Sequence, residues 1–335
     1  MIEALLYRRE EKKKVRCFLC AHRCLLREDQ LGICRVRKNI DGILYSLNYD
    51  RVTAVHLDPI EKKPLYHFFP ASTSFSIAAM GCNFSCQFCQ NHEISQVLEE
   101  KSIGGEKFSP ESLVQKAIRS RALSISYTYT EPTVFFELML ETARLAKQAN
   151  LKNVIVTNGY MSREALELMS PYLDAANVDL KSFSEDFYRI YCGAKLQPVL
   201  ETIRELKRRG IWIEVTTLLI PGLNAGLDDQ KKMVSFLLEL DPFLPWHVSR
   251  FFPQYQLSDR PITPEGDIFL LLDLAAEMGL RFVYGGNLDD ERYSDTFCPE
   301  CRLRLIRRYR YQVESPGMAG GACLRCGRPI PGVWQ

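Results

Sequence analysis

Gly81-Cys82-Asn83-Phe84-Ser85-Cys86-Gln87-Phe88-Cys89 decides the reading of this chain. It sets three thiols at C-x3-C-x2-C spacing just after the apolar run Phe75-Ser76-Ile77-Ala78-Ala79-Met80. Three soft thiolates on one short loop suit three corners of a cubane iron–sulfur cluster, and the fourth iron then has no protein ligand. An iron with an open position can chelate a small molecule and pass it an electron. A structural zinc knuckle is the competing reading, but such a site normally closes its shell with four ligands. No fourth cysteine stands nearby in sequence, and His92 belongs to the polar run Gln90-Asn91-His92-Glu93 that leaves the loop.

Outward from the loop, between about Phe75 and Tyr284, short apolar runs alternate with longer amphipathic ones. Strands are expected at 75–80, 123–127, 153–157, 175–180, 211–219, 246–251 and 281–284. Helices are expected at 110–120, 133–148, 162–172, 198–209, 227–240 and 264–278. Ser109-Pro110 with Ser112, Ser162 ahead of Glu164, and Thr263-Pro264-Glu265 are helix starts. Repeated strand–helix units with near-continuously apolar strands imply an α/β fold with a parallel sheet buried on both sides. So many units favour a curved, partial (β/α) barrel over a flat sheet. Its active site belongs at the C-terminal strand ends, where the cysteine loop falls.

The chain has 335 residues, 46% apolar and 25% charged, with a net charge of +2. That is room for one large domain with small appendages, and no global field draws it toward nucleic acid or a membrane. Its first ten residues lack the apolar core of a secretory signal, and no run approaches the ~18 apolar residues of a membrane span. Eleven of twelve cysteines fall in three compact clusters, which points to a reducing, cytoplasmic, metal-binding protein rather than a disulfide scaffold. Residues 1–74 are expected to form a cysteine-containing N-terminal cap with strands near Ile43–Leu47 and Val52–Leu57. Residues 75–289 would form the barrel, and residues 290–335 a zinc-ribbon-like segment.

The ribbon expectation rests on Cys298-x2-Cys301 and Cys323-x2-Cys326, two knuckles that together complete a tetrahedron around zinc, with a rubredoxin-like iron site as the alternative. Between them, Arg302–Tyr311 alternates basic with apolar or aromatic residues. That pattern suits a half-solvated strand, or a face for RNA or an acidic partner. Cys17-x2-Cys20-x3-Cys24-x9-Cys34 is the third set, with His22 between. It suits a closed zinc site, with an auxiliary iron–sulfur cluster as the alternative. Cys192 stands alone, which suits a small buried residue better than a radical relay.

Several stretches occur in one order: the N-terminal cysteines, Asp58-Pro59-Ile60-Glu61-Lys62-Lys63-Pro64, Gly81–Asn91, Tyr127–Thr133, Thr157-Asn158-Gly159, Val178-Asp179-Leu180-Lys181, and Cys298…Cys326 with Ile330–Trp334. In that order the chain resembles the radical S-adenosylmethionine (SAM) member of the AmmeMemoRadiSam system, a branch close to the glycyl-radical-enzyme activases. The resemblance implies that Cys82, Cys86 and Cys89 ligate a 4Fe-4S cluster whose open iron binds SAM, with Phe88 near the adenine. Tyr129-Thr130-Glu131-Pro132 would stand where the superfamily has Gly-Gly-Glu-Pro, so the backbone contact to the methionine amino group is expected from residues that lack the glycines. Glu131 would add a bond to that ammonium. Thr157, Asn158, Asp179 and Lys181 would surround the methionine carboxylate and ribose. His247 would lie beside the cofactor, and Arg250 is a weaker candidate.

The expected function is reductive cleavage of SAM to a 5′-deoxyadenosyl radical that takes hydrogen from a substrate. The alternative within this chemistry is an activase acting on a protein partner. A zinc-ribbon binding or redox-sensing module is the alternative from another class. The resemblance also implies a low-potential donor of flavodoxin or ferredoxin type, and association with Memo-like and AMME-syndrome-candidate-like proteins.

Overall fold

A computed structural model describes residues 1–288 and 293–334. Its centre is a nine-stranded sheet: β1 (Arg51–Pro59), β2 (Thr73–Ala79), β3 (Glu106–Lys107), β4 (Ser124–Tyr127), β5 (Lys152–Thr157), β6 (Ala175–Asp179), β7 (Trp212–Leu219), β8 (Trp246–Arg250) and β9 (Val283–Gly286). The spatial order is β9-β8-β7-β6-β5-β4-β2-β1-β3. The seven strands from β2 to β9 without β3 run parallel, and β1 pairs antiparallel with both β2 and β3. Among the described residues the edge strands β9 and β3 are not hydrogen-bonded to each other, so the sheet stays open rather than closing into a full barrel.

The crossover helices are α1 (Pro110–Arg119), α2 (Phe136–Gln148), α3 (Arg163–Met169), α4 (Leu196–Arg208), α5 (Leu227–Leu240) and α6 (Glu265–Met278). Each begins within three residues of its expected start. Ser109 Oγ accepts from the Ser112 N–H at 3.2 Å and Ser162 Oγ from the Ala165 N–H at 3.1 Å, satisfying first-turn donors as N-caps do. In β2 every residue but Thr73 is buried, the consequence of helices covering both faces of a parallel sheet. No helix among the described residues is long and apolar enough to cross a membrane.

Two features depart from a simple three-part division. Strand β1, placed by sequence in the N-terminal cap, pairs with β2 from Val52↔Ala79 to Pro59↔Thr73, so the central sheet crosses the 74/75 boundary. The chain between β1 and β2 then passes beneath the sheet, where the Tyr66 and His67 N–H groups donate to Glu214 at 2.9 and 2.8 Å. The 289/290 boundary lies outside the described residues.

The C-terminal segment folds as small antiparallel pairs, including Arg304–Tyr309 with Gln312–Glu314. Its arginines do not form one open basic face. Arg308 is buried, donates to the Tyr66 carbonyl at 2.8 Å and lies 4.1 Å from the Tyr66 ring centroid, while Arg304 pairs with Asp295 at 3.0 Å.

Candidate active site

Directly after β2 the chain turns at Gly81, whose φ of +111° and neighbours decide its identity: a Cβ there would stand 2.7 Å from Val36 Cγ1. The cysteine loop that follows is pinned from below. The Ser85 and Gln87 N–H groups donate to the Cys192 and Tyr191 carbonyls at 2.9 and 3.0 Å. Gly193 permits the close approach, since a Cβ on it would meet Ser85 Oγ at 2.4 Å.

Cys82, Cys86 and Cys89 all face one cavity of about 480 Å³. Asn158 Nδ2 reaches Cys82 Sγ at 3.8 Å and Cys89 Sγ lies 3.1 Å from Ser95 Oγ. Burial raises the Cys82 and Cys89 thiols above the usual range, and the Glu131 charge adds to it at Cys82. Cys86 moves the other way: the Cys192 thiol hydrogen-bonds it and outweighs burial, with Lys181 assisting. Cys192 is fully buried behind the loop and is not part of the cavity wall, so the wall presents three thiols.

The residues expected around the methionine and ribose line the same cavity: Phe88, Tyr129, Thr130, Glu131, Thr157, Asn158, Asp179 and Lys181. Phe88 comes from the cysteine loop after β2, and the others from the C-terminal ends of β4, β5 and β6 and the loops after them. Lys181 Nζ pairs with Asp179 Oδ2 at 2.9 Å and sits 5.7 Å from the Phe88 ring centroid. Burial alone would lower the Lys181 pKa, but Asp179 and the Cys86 sulfur raise it well above its ordinary value.

Glu131 is occupied by its own fold. Its Oε1 accepts from the Thr133 N–H at 3.0 Å and the Thr157 hydroxyl at 2.8 Å, and its Oε2 accepts from the Asn158 N–H at 2.8 Å. Burial raises its pKa. The carboxylate thus braces the ends of two strands. Tyr129, at φ +65°, gives its carbonyl to Asn91 Nδ2 at 2.8 Å, and Thr130 Oγ1 donates to the Ala79 carbonyl at 2.7 Å.

His247 stands apart from that wall. Register puts it level with Thr216 and, one strand further, Asp179, yet its Nε2 donates to Glu214 Oε2 at 2.6 Å, beneath the cavity. Arg250 donates to the Thr263 carbonyl at 2.7 Å and pairs with Glu265 at 3.1 Å.

Sequence reasoning assigned no role to the deeper end of the cavity, lined by Lys63, Asn177 and Thr216. Lys63 is buried and pairs with Asp58 at 2.7 Å, and Asp58 also accepts from the Tyr129 hydroxyl. Asn177 Nδ2 is held by the Pro64 carbonyl at 2.8 Å, while its Oδ1 and the Thr216 hydroxyl are buried without partners. Both residues line the same cavity as the three thiols. Only their place on alternate strand positions could have marked them.

The flanking cysteines form two distinct groups. Cys298, Cys301, Cys323 and Cys326 place their sulfurs within 4.8 Å of one another, with Cys298–Cys326 at 3.6 Å and Cys301–Cys323 at 3.5 Å. A tetrahedral ion held by sulfur at about 2.3 Å needs sulfur–sulfur separations of about 3.8 Å, so this quartet fits one metal ion. Cys17, Cys20, Cys24 and Cys34 line a second, small cavity together with His22. Among the described residues the C-terminal quartet is the one group of at least three such donors packed so tightly. Cys82, Cys86 and Cys89, three thiols facing one cavity, suit a cluster with each thiolate on its own iron.

Comparison with known proteins agrees with this geometry. The model of the radical SAM superfamily matches residues 77–237. An uncharacterized protein of Methanocaldococcus jannaschii is 41% identical over 333 residues, 98% of this chain and 99% of that protein. The pyruvate formate-lyase-activating enzyme of Streptococcus mutans is 22% identical over 197 residues, 55% of this chain and 74% of that one. Streptococcus suis SuiB, solved bound to S-adenosylmethionine, shares the fold at a TM-score of 0.52 and 12% identity, covering 69% of this chain and 53% of SuiB. With the three-thiol loop at the strand ends and a relative matched along its whole length, this chain belongs to the radical SAM superfamily.

Proposed function

We propose that the chain is a radical SAM enzyme that abstracts hydrogen from a substrate bound deeper in the cavity. The observation that carries this is the sharing of one cavity by Cys82, Cys86, Cys89, Asn158, Asp179 and Lys181. When bound, a 4Fe-4S cluster with an open iron supplies the electron that splits SAM into methionine and a 5′-deoxyadenosyl radical.

The chain's own residues have the remaining tasks. Lys181, kept charged by Asp179, pairs with the cofactor carboxylate, and Asn158 offers its amide to the ribose or carboxylate. Phe88 gives the adenine an apolar wall. Glu131 holds the Thr157–Asn158 strand end in register with the Thr130 loop, so both approach the cofactor from fixed positions. Lys63, Asn177 and Thr216 supply polar wall where a substrate would sit. Strict positioning matters because an unrestrained primary radical attacks the nearest C–H bond.

The test is anaerobic reconstitution with iron and sulfide, then dithionite and SAM. 5′-Deoxyadenosine should form in the wild type and vanish in Cys86→Ala. A reconstituted protein that forms none overturns the proposal.

An activase acting on a protein partner is the second reading, favoured by the likeness to the pyruvate formate-lyase-activating enzyme. Co-incubation with glycyl-radical proteins, followed by electron paramagnetic resonance, separates a protein substrate from a small one. A flavodoxin- or ferredoxin-type donor, a cytoplasmic setting and association with Memo-like and AMME-syndrome-candidate-like proteins belong to the same proposal. So does zinc as the ion of the C-terminal quartet.

A further inference from the structure

Behind the cysteine loop the N-terminal cap builds a site of its own. Cys17, Cys20, Cys24 and Cys34 all line one small cavity whose other walls include Leu19, Leu26, Ile33 and Val134. Burial raises the Cys20, Cys24 and Cys34 thiols above their ordinary range, and against it each sulfur accepts a backbone hydrogen bond, Cys20 from His22, Cys24 from Ile33 and Cys34 from Val36. Arg37, only 2% exposed, aims Nη1 at Cys17 Sγ at 3.8 Å, pairs through Nη2 with Glu137, and leaves its Nε without a partner. A buried guanidinium and several N–H donors turned on four sulfurs suit thiolates bound to a metal centre. They do little for four neutral thiols, which accept hydrogen bonds weakly.

Spacing then separates one ion from a cluster. The C-terminal quartet has the close packing that a tetrahedral ion requires, and the N-terminal quartet does not join it among the described residues. A cubane seats each thiolate on a different iron, so its four sulfurs stand farther apart than a single ion allows. His22 lines the same cavity, and its Nε2–H donates to the Asn83 carbonyl at 2.7 Å, which leaves the four cysteines as the thiolate donors of the site.

We propose that Cys17, Cys20, Cys24 and Cys34 hold a second, coordinatively complete 4Fe-4S cluster, buttressed by Arg37. It is distinct from the three-cysteine site and goes beyond the catalytic reading. The two sites are mechanically joined: His22 bonds the carbonyl of Asn83, the residue after Cys82, and Asn158 Nδ2 donates to Asn83 Oδ1 at 2.7 Å. The Ala21 N–H also donates to the Tyr160 carbonyl at 3.1 Å, fastening the cap to the loop after β5.

The experiment is iron and sulfide analysis with Mössbauer spectroscopy on the anaerobically reconstituted full chain. Wild type should carry about eight irons, and the Cys82→Ala/Cys86→Ala/Cys89→Ala variant should keep about four in 4Fe-4S form. Cys20→Ala/Cys34→Ala should lose those four while the three-cysteine cluster remains. In the triple variant, Arg37→Lys should shift the midpoint potential of the surviving cluster, because a planar fork of donors is replaced by a point charge; a purely structural role for Arg37 would leave it unmoved. Wild type holding about four irons, with zinc at the cap, overturns the proposal even if a variant fails to fold. Neither result depends on whether SAM is cleaved, so the catalytic reading is tested separately.

Discussion

The Asn158 N–H donates to Glu131 Oε2 at 2.8 Å, and that bond ties the loop after β4 to the end of β5. Glu131 therefore works first as a brace. Glu131→Ala strands the buried N–H groups of Thr133 and Asn158 and the hydroxyl of Thr157. At roughly 1–3 kcal/mol for each of these three buried groups left unpaired, the variant should lose at least about 3 kcal/mol of stability in urea. Glu131→Gln, which retains an acceptor oxygen, should lose less. Equal stability for wild type and the alanine variant would refute the brace.

Lys181 has a different expected signature. Its ammonium sits beside Asp179 in the wall, and a charge-assisted bond to a carboxylate contributes about 1.5–3 kcal/mol. Lys181→Ala should weaken SAM binding by about 10- to 100-fold while leaving iron content unchanged. Equilibrium dialysis against SAM reads the affinity, and an unchanged dissociation constant would remove Lys181 from the cofactor site.

Beneath the sheet, acid should act through His67. Its Nδ1 lies 2.8 Å from the Pro331 carbonyl and must donate there, so Nε2 accepts from the Tyr284 hydroxyl at 2.6 Å. A second proton on Nε2 would face that hydroxyl, and burial holds the His67 pKa down at about 4. The unfolded chain takes up this proton near pH 6.5, the folded chain only near 4. Stability from His67 is therefore whole above about 6.5, falls as pH drops, and is about 3 kcal/mol lower by pH 4. Glu214, whose pKa is depressed by His247 against the opposing effect of burial, loses stability in the same direction as pH falls below its ordinary value. His67→Gln should flatten the slope of urea stability between pH 6.5 and 5; an unchanged slope would place the acid sensitivity elsewhere.

The C-terminal quartet should bind one metal ion per chain whose removal loosens more than the ribbon. His67 touches the Pro331 carbonyl, Arg308 holds Tyr66, and Phe69 donates its N–H to the Val333 carbonyl at 2.7 Å. Cys298→Ser/Cys323→Ser should lose that ion, measured by plasma mass spectrometry, and lower Tm by several degrees. Retention of a full equivalent of metal would show that it binds elsewhere.

The strands and helices were legible because their signals are local: apolar runs at strand length, helical periodicity, and caps such as Ser109 and Ser162. The three-thiol loop was equally readable, since its ligands span only a few residues. Contacts between distant segments were not. Strand β1 looked like part of the cap until its pairing with β2 became visible, Glu131 looked free for a ligand until Thr157 and Asn158 claimed it, and His247 found Glu214, which no motif marks.

What the order of residues decided was which units form and which thiols share a loop, because neighbours along a chain cannot be far apart in space. The packed molecule decided where side chains from separate strands are spent. Arg37 on the N-terminal sulfurs and Asn177 in the deep cavity owe their roles to residues that meet only after the sheet assembles. A buried polar group must take whatever partner the packing supplies, and no local pattern encodes that choice.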